Sequence, residues 1–303
     1  MGMTRKDLAA HRRRTLALDV QTVKGNSCLT PRNGRKSNLG LLFVVIMPWL
    51  ISGIPASAQV TAGPNFSYSG DTGPGFWVEI NPACGTAPFA RQSPVNIRRV
   101  VADPTLGPLD LMLNETSFTL TNPGYNVRAQ PLDGGVLMIN KVPFGLLEFH
   151  FHTLTEHTVD GQYGAMELHV VFQDPNTQNL AVIGVLYKIG RANRFLAKLL
   201  TAGLPVKSNS PPVTIEKLNI GDAFTDTSSY YTYPGSLTTP GCSENVTWFV
   251  LKQWAQMSAA QFEAFHGILG NNFRPIQELN GRLIRGTIKP GNSPEEQNTP
   301  LDR

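Results

Sequence analysis

The chain has 303 residues, 41% of them hydrophobic and 16% charged, with 26 basic and 22 acidic side chains for a formal charge of +4. The imbalance is local: residues 1–58 hold nine of the bases and two of the acids, so the remainder carries 17 bases against 20 acids, a formal charge of −3. The folded part therefore gives no reason to expect nucleic-acid binding, and the length suits one large β domain as readily as two smaller units.

Residues 1–58 read as an N-terminal extension ending in a secretory signal peptide. Arg35 and Lys36 precede the apolar run "LGLLFVVIMPWLISGI", and the small residues "ASA" at 56–58 supply a cleavage site after Ala58. Pro48 interrupts that run, which is shorter than the ~20 apolar residues of a spanning helix, so no stable membrane insertion is expected after cleavage. The expected location is periplasmic or secreted. Cleavage removes Cys28 and leaves Cys84 and Cys242, a lone pair that export favours as a disulfide over two buried thiols.

Residues 59–303 show no internal repeat and are read as one domain, closing in a polar tail at 290–303. Branched and aromatic residues concentrate in "EFHFH", "MELHVVF", "LAVIGVLYKI" and "VTWFVLKQ", and turn signals such as "NPG", "DGG", "DPNTQN" and "YPGS" separate many of the runs. A helix is expected at 193–203, where "NRFLAKLLTAG" has helical apolar spacing and ends on Gly203. Another is expected in "SAAQFEAFHGIL", where Ser258 and Gln261 form a capping-box pattern. His266 falls in that second helix and reads as structural. The fold class is mainly β, with a few peripheral short helices.

Four of the six histidines lie between Leu146 and Phe172. Side chains alternate along a strand, so "EFHFH" points His150 and His152 one way and Phe149 and Phe151 the other. "MELHVVF" adds Glu167 and His169 on a common face. Three imidazoles on adjacent strands form an incomplete tetrahedron, suited to Zn²⁺ with an open fourth position. A lone strand histidine is usually a hydrogen-bonded structural group, but His-x-His beside Glu-x-His in a chain this poor in histidine points to metal. His157, outside both patterns, is expected to support the site without binding metal. Gly145, His150, His152, Glu156 and Gly161 also approximate the first cupin motif. That reading needs a downstream Pro-x-Gly before a further histidine, and "MELHVV" has none before it.

"FSYSGDTGPGFW", "RQSPVNI", "FHFHTLTEHTVDGQYGAMELHVV", "LAVIGVLYKIG", "YPGSLTTPGCSENVTW" and "NNFRPIQELNGR" follow one another across most of residues 66–289. Together they resemble the α-class carbonic anhydrases, in their compact bacterial form. The resemblance implies a twisted, mostly antiparallel sheet of about ten strands. It implies Zn²⁺ on His150, His152 and His169, and reversible hydration of CO2 to bicarbonate and a proton by attack of zinc-bound hydroxide. Thr238 matches the hydroxyl that accepts from the hydroxide and donates to Glu156, with His157 in the same orienting network. Glu148, Glu167 and the Asn272 carbonyl match the groups behind His150, His169 and His152. Val171, Val182, Leu237, Thr239, Val246 and Trp248 match the CO2 pocket, and Cys84 with Cys242 the disulfide of exported members.

Two positions depart from the family pattern. Glu148 stands where glutamine is usual and is expected to add negative charge near the metal. Tyr125 stands where fast members carry a proton-shuttling histidine; a phenol of pKa about 10 is a poor carrier at neutral pH beside an imidazole of about 6.5. The implied small-molecule partner is CO2 or bicarbonate, with no nucleic acid, in a monomer or homodimer. The alternative, an inactive carbonic-anhydrase-like binding protein, is disfavoured because His150, His152, His169, Glu156 and Thr238 are all present.

Overall fold

The runs rich in branched and aromatic residues pair into one 13-stranded sheet among residues 66–85 and 87–288, which a computed structural model of the chain describes. The expected signal peptide, its cleavage point and the tail at 290–303 lie outside the described residues. Ten strands follow a continuous path. It starts at Val213–Leu218 and passes through Thr116–Thr121, Arg128–Pro131, Val142–His152, Met166–Gln173 and Leu180–Ile189. It continues through Val246–Leu251, Tyr230–Gly235 and Arg285–Gly286 to Val101–Ala102. Asp110–Met112, Val136–Ile139 and Ala255–Met257 join off that path and account for the excess over the expected ten. Strands that short show no period in the sequence.

Most pairs are antiparallel, but Leu180–Ile189 runs parallel to both Val246–Leu251 and Ala255–Met257, so the sheet is mixed. Parallel neighbours need a long crossover, and the chain between them carries the helix Arg194–Ala202. The Asn193 side chain caps that helix by accepting from the Leu196 amide, and Gly203 ends it at φ 90°. Ala259–Leu269 opens on the expected capping box of Ser258 and Gln261. On the first helix Phe195, Leu196 and Leu199 are fully buried against the sheet, each worth roughly 1.5–3 kcal/mol.

Alternation along the central strands separates two chemistries. Phe149, Phe151, Leu168, Val170 and Phe172 face the main core, together with Phe195 and Phe265 from the helices. The intervening His150, His152, Glu167 and His169 face the opposite side, next to Val171, Val182 and Trp248 of a second apolar cluster. A register shift between Leu146 and Glu148 interrupts the alternation. Leu146 packs on the main core, while both Leu147 and Glu148 turn to the cavity. Such a bulge re-aims a side chain without breaking the sheet.

Cys84 and Cys242 are joined, as expected, at an S–S distance of 2.10 Å, and pack with Trp77. The bond closes a 158-residue separation, worth up to about 4–5 kcal/mol in the chain-entropy account. No described helix is long and apolar enough to cross a membrane.

Candidate functional site

His150 and His169 are direct cross-strand partners, and His152 follows two residues along the same face. Their ring centroids lie 5.0 Å (150–152), 5.1 Å (150–169) and 4.6 Å (152–169) apart. Each ring is held from behind through one nitrogen. His150 Nδ1 lies 2.9 Å from Glu148 Oε1, His152 Nδ1 donates to the Asn272 carbonyl at 2.6 Å, and His169 Nε2 lies 3.0 Å from Glu167 Oε1. Those bonds set the tautomers and leave lone pairs on His150 Nε2, His152 Nε2 and His169 Nδ1.

The three free nitrogens converge. His169 Nδ1 is 3.3 Å from His150 Nε2, and His152 Nε2 is buried with no hydrogen-bond partner. One ligand atom from each residue falls within 4.8 Å of the others. Burial pushes the His152 imidazole well below its ordinary pKa and takes His169 down to about 4, against the upward pull of Glu167. Neutral, converging imidazole lone pairs repel one another and are relieved by a cation. The donor set fits Zn²⁺.

Glu167 is saturated. Its Oε2 accepts from the backbone amides of Glu156 and His157, both at 2.8 Å, and its Oε1 receives His157 Nδ1 at 2.7 Å as well as His169. Burial alone would raise its pKa, but the His157 and His169 imidazoles hold it well below the usual carboxylate range. Gly184 makes room: a Cβ there would stand 3.0 Å from Glu167 Oε1. His157 thus joins Glu167 and, through Nε2 at 2.5 Å, the Tyr233 hydroxyl. Both of its ring nitrogens are thereby engaged, and its backbone amide, like that of Glu156, donates to Glu167 Oε2.

Glu156 is fully buried, with Oε1 accepting from the Arg274 amide at 2.8 Å and lying 3.4 Å from His152 Nδ1. Burial pushes its carboxyl up, and the adjacent Thr238 hydroxyl is the largest influence pulling it back. Its Oε2 is buried and has no hydrogen-bond partner among the described residues. The pocket opens beside His150. Val171, Leu180, Leu237 and Thr239 line it together with Tyr125, Asn126 and Arg128. Val182, Val246 and Trp248 are buried behind that wall; the Trp248 ring is 4.8 Å from His169.

The family model of eukaryotic-type carbonic anhydrases matches residues 72–288. The chain belongs to the α-carbonic anhydrase family. It is similar to alpha carbonic anhydrase 7 of Arabidopsis thaliana, 34% identical over 236 residues that cover 73% of this chain and 83% of that one. It is also 34% identical over 224 residues to a carbonic anhydrase of Klebsiella pneumoniae, covering 73% and 90%. Among solved structures, the Photobacterium profundum alpha-carbonic anhydrase superposes with a TM-score of 0.68 at 34% identity, covering 73% of this chain and all of that one.

Several groups of this carbonic anhydrase site are invisible to motif reading. The Tyr233 hydroxyl sits between His157 Nε2 and Ser93 Oγ, the latter at 3.0 Å. The buried Arg274 guanidinium donates to Gln92 Oε1, the Ser93 carbonyl and the Cys84 carbonyl, which fixes the backbone carrying the amide on Glu156. Arg128 stands 3.3 Å from Glu148 Oε2, so the charge expected to add to the metal's surroundings has a cationic neighbour. Tyr125 tilts against Phe66 with centroids 4.9 Å apart, and burial raises its phenol pKa.

Proposed function

We propose that this carbonic anhydrase holds Zn²⁺ on His150, His152 and His169 and uses it for the reversible hydration of CO2 to bicarbonate and a proton. The convergence of three imidazole lone pairs, with His152 Nε2 buried and unpartnered, supports this reading above all. Zn²⁺ there would supply a Lewis acid that makes water acidic enough to ionise near neutral pH, a chemistry for which carbonic anhydrases are the type example.

The chain's own groups then orient and select. Thr238 donates its proton to Glu156 and so presents an acceptor oxygen that aims the nucleophile at CO2; the Arg274 amide on Oε1 keeps Glu156 in place. Glu148, Glu167 and the Asn272 carbonyl hold the three rings. CO2 has no net dipole, so Val171 and Leu237, backed by Val182, Val246 and Trp248, offer an apolar wall in place of donors. Thr239 lines the same pocket.

Tyr125 does not carry the proton out at neutral pH, because burial raises a phenol pKa that is already high. Turnover is therefore limited by external buffer: the rate rises with imidazole concentration, and Tyr125→His reduces that dependence. The Cys84–Cys242 bond supports residence in an oxidising compartment, the periplasm or the exterior, reached by cleavage after Ala58. The deciding experiment is CO2 hydration with metal analysis, before and after a chelator. Activity lost on chelation and restored by Zn²⁺ is expected, whereas a zinc-loaded protein without activity would favour a binding role.

A further inference from the structure

Glu148 is 6% exposed and lines the cavity, yet only one of its oxygens is hydrogen-bonded. Oε1 meets His150 Nδ1 at 2.9 Å, while Oε2 is buried without a hydrogen-bond partner. The group opposite Oε2 is Arg128, with Nε at 3.3 Å and a side chain 15% exposed; that Nε is likewise buried without a hydrogen bond. Arg128 and His150 are cross-strand partners on Arg128–Pro131 and Val142–His152. Glu148, two residues before His150 on the same strand and in regular register with it, shares their face.

A carboxylate this deeply buried stays charged only beside an opposite charge. A glutamine at the same place would need none. We propose that Arg128 is a positioning residue for the metal site: by neutralising Glu148 it keeps that carboxylate seated behind His150, whose Nε2 is thereby aimed at the metal. Arg128, Glu148 and His150 thus form a relay through the two carboxylate oxygens. Arg128 and Glu148 therefore act as a pair, and the net charge felt at the ligands is close to that of a neutral partner. This inference rests on the reading of His150, His152 and His169 as a Zn²⁺ site.

The test is a double-mutant cycle on the full chain, with Zn²⁺ dissociation constants measured by chelator competition. The proteins are the parent, Arg128→Met, Glu148→Gln, the double variant and Arg128→Lys. Arg128→Met is expected to weaken Zn²⁺ binding by about tenfold, the low end for groups that hold a ligand from behind, and Arg128→Lys to recover most of the loss. In the Glu148→Gln background the same change should alter the constant by less than about twofold, as for uncoupled sites. Equal losses in both backgrounds would overturn the relay, as would unchanged or tighter binding in Arg128→Met. Metal-free melting temperatures are read alongside. A purely structural arginine lowers them equally in both backgrounds and leaves the zinc constants uncoupled. Should Arg128→Met not fold, Arg128→Gln takes its place in the cycle. A parent that binds no Zn²⁺ defeats the metal-site reading itself, whereas an uncoupled cycle in a zinc-binding parent defeats this inference alone.

Discussion

His169 and His150 face each other across two paired strands, yet the walls behind them follow different rules. Behind His169, Glu167 uses both oxygens on four hydrogen bonds, two of them from backbone amides. Behind His150, Glu148 has one hydrogen bond and one ionic contact. The first wall is locked by geometry, since amide donors cannot rotate away. The second is balanced by charge, and a long arginine side chain can reach the same balance from several positions. Replacing the carboxylate should therefore cost much folding stability behind His169 and little behind His150, where glutamine keeps the acceptor and needs no countercharge.

Glu167→Ala is the severest change. It strands two buried amides and two imidazoles and should destabilise the metal-free protein by about 3–5 kcal/mol in urea unfolding; a loss near zero would show that the lock is not one. Next comes Tyr233→Phe, which takes the hydroxyl from between His157 and Ser93 and leaves buried atoms unpaired, for about 1–3 kcal/mol by the same measurement. Gly184→Ala presses a methyl against Glu167 Oε1 and is expected to cost about 1 kcal/mol and to shift the metal-free melting temperature downward. The smallest effect belongs to the other wall: Glu148→Gln keeps an acceptor for His150 and should change folding stability by about 1 kcal/mol or less. If Glu148→Gln unfolds the protein more readily than Tyr233→Phe, the contrast between the walls fails.

Local pattern made much of this visible in the sequence. His150 and His152 share a face because strands alternate, and Phe149 and Phe151 had to take the other side. The capping box at Ser258 and the stop at Gly203 announced two helices from a few residues each. Compartment reasoning and the cysteine count paired Cys84 with Cys242. Only the longer strand runs were legible; strands such as Asp110–Met112, Val136–Ile139 and Ala255–Met257 were not, because three or four residues carry no readable period.

The supporting groups were harder to see because their partners are distant. Arg274 reaches Gln92 across 182 positions, and Tyr233 meets His157 across 76. A buried arginine or tyrosine looks the same in sequence as an exposed one. Glu148 was legible as a departure from the family pattern, but its countercharge was not, because only the pairing of Arg128–Pro131 with Val142–His152 puts Arg128 beside it.

The sequence by itself determined which residues could bind a metal, since that depends on residue type and on a period of two along a strand. Tertiary structure decided which nitrogen of each ring is free, which carboxylate is locked and which is merely neutralised. Those outcomes depend on where distant donors end up once the chain is packed, and no local spacing encodes that.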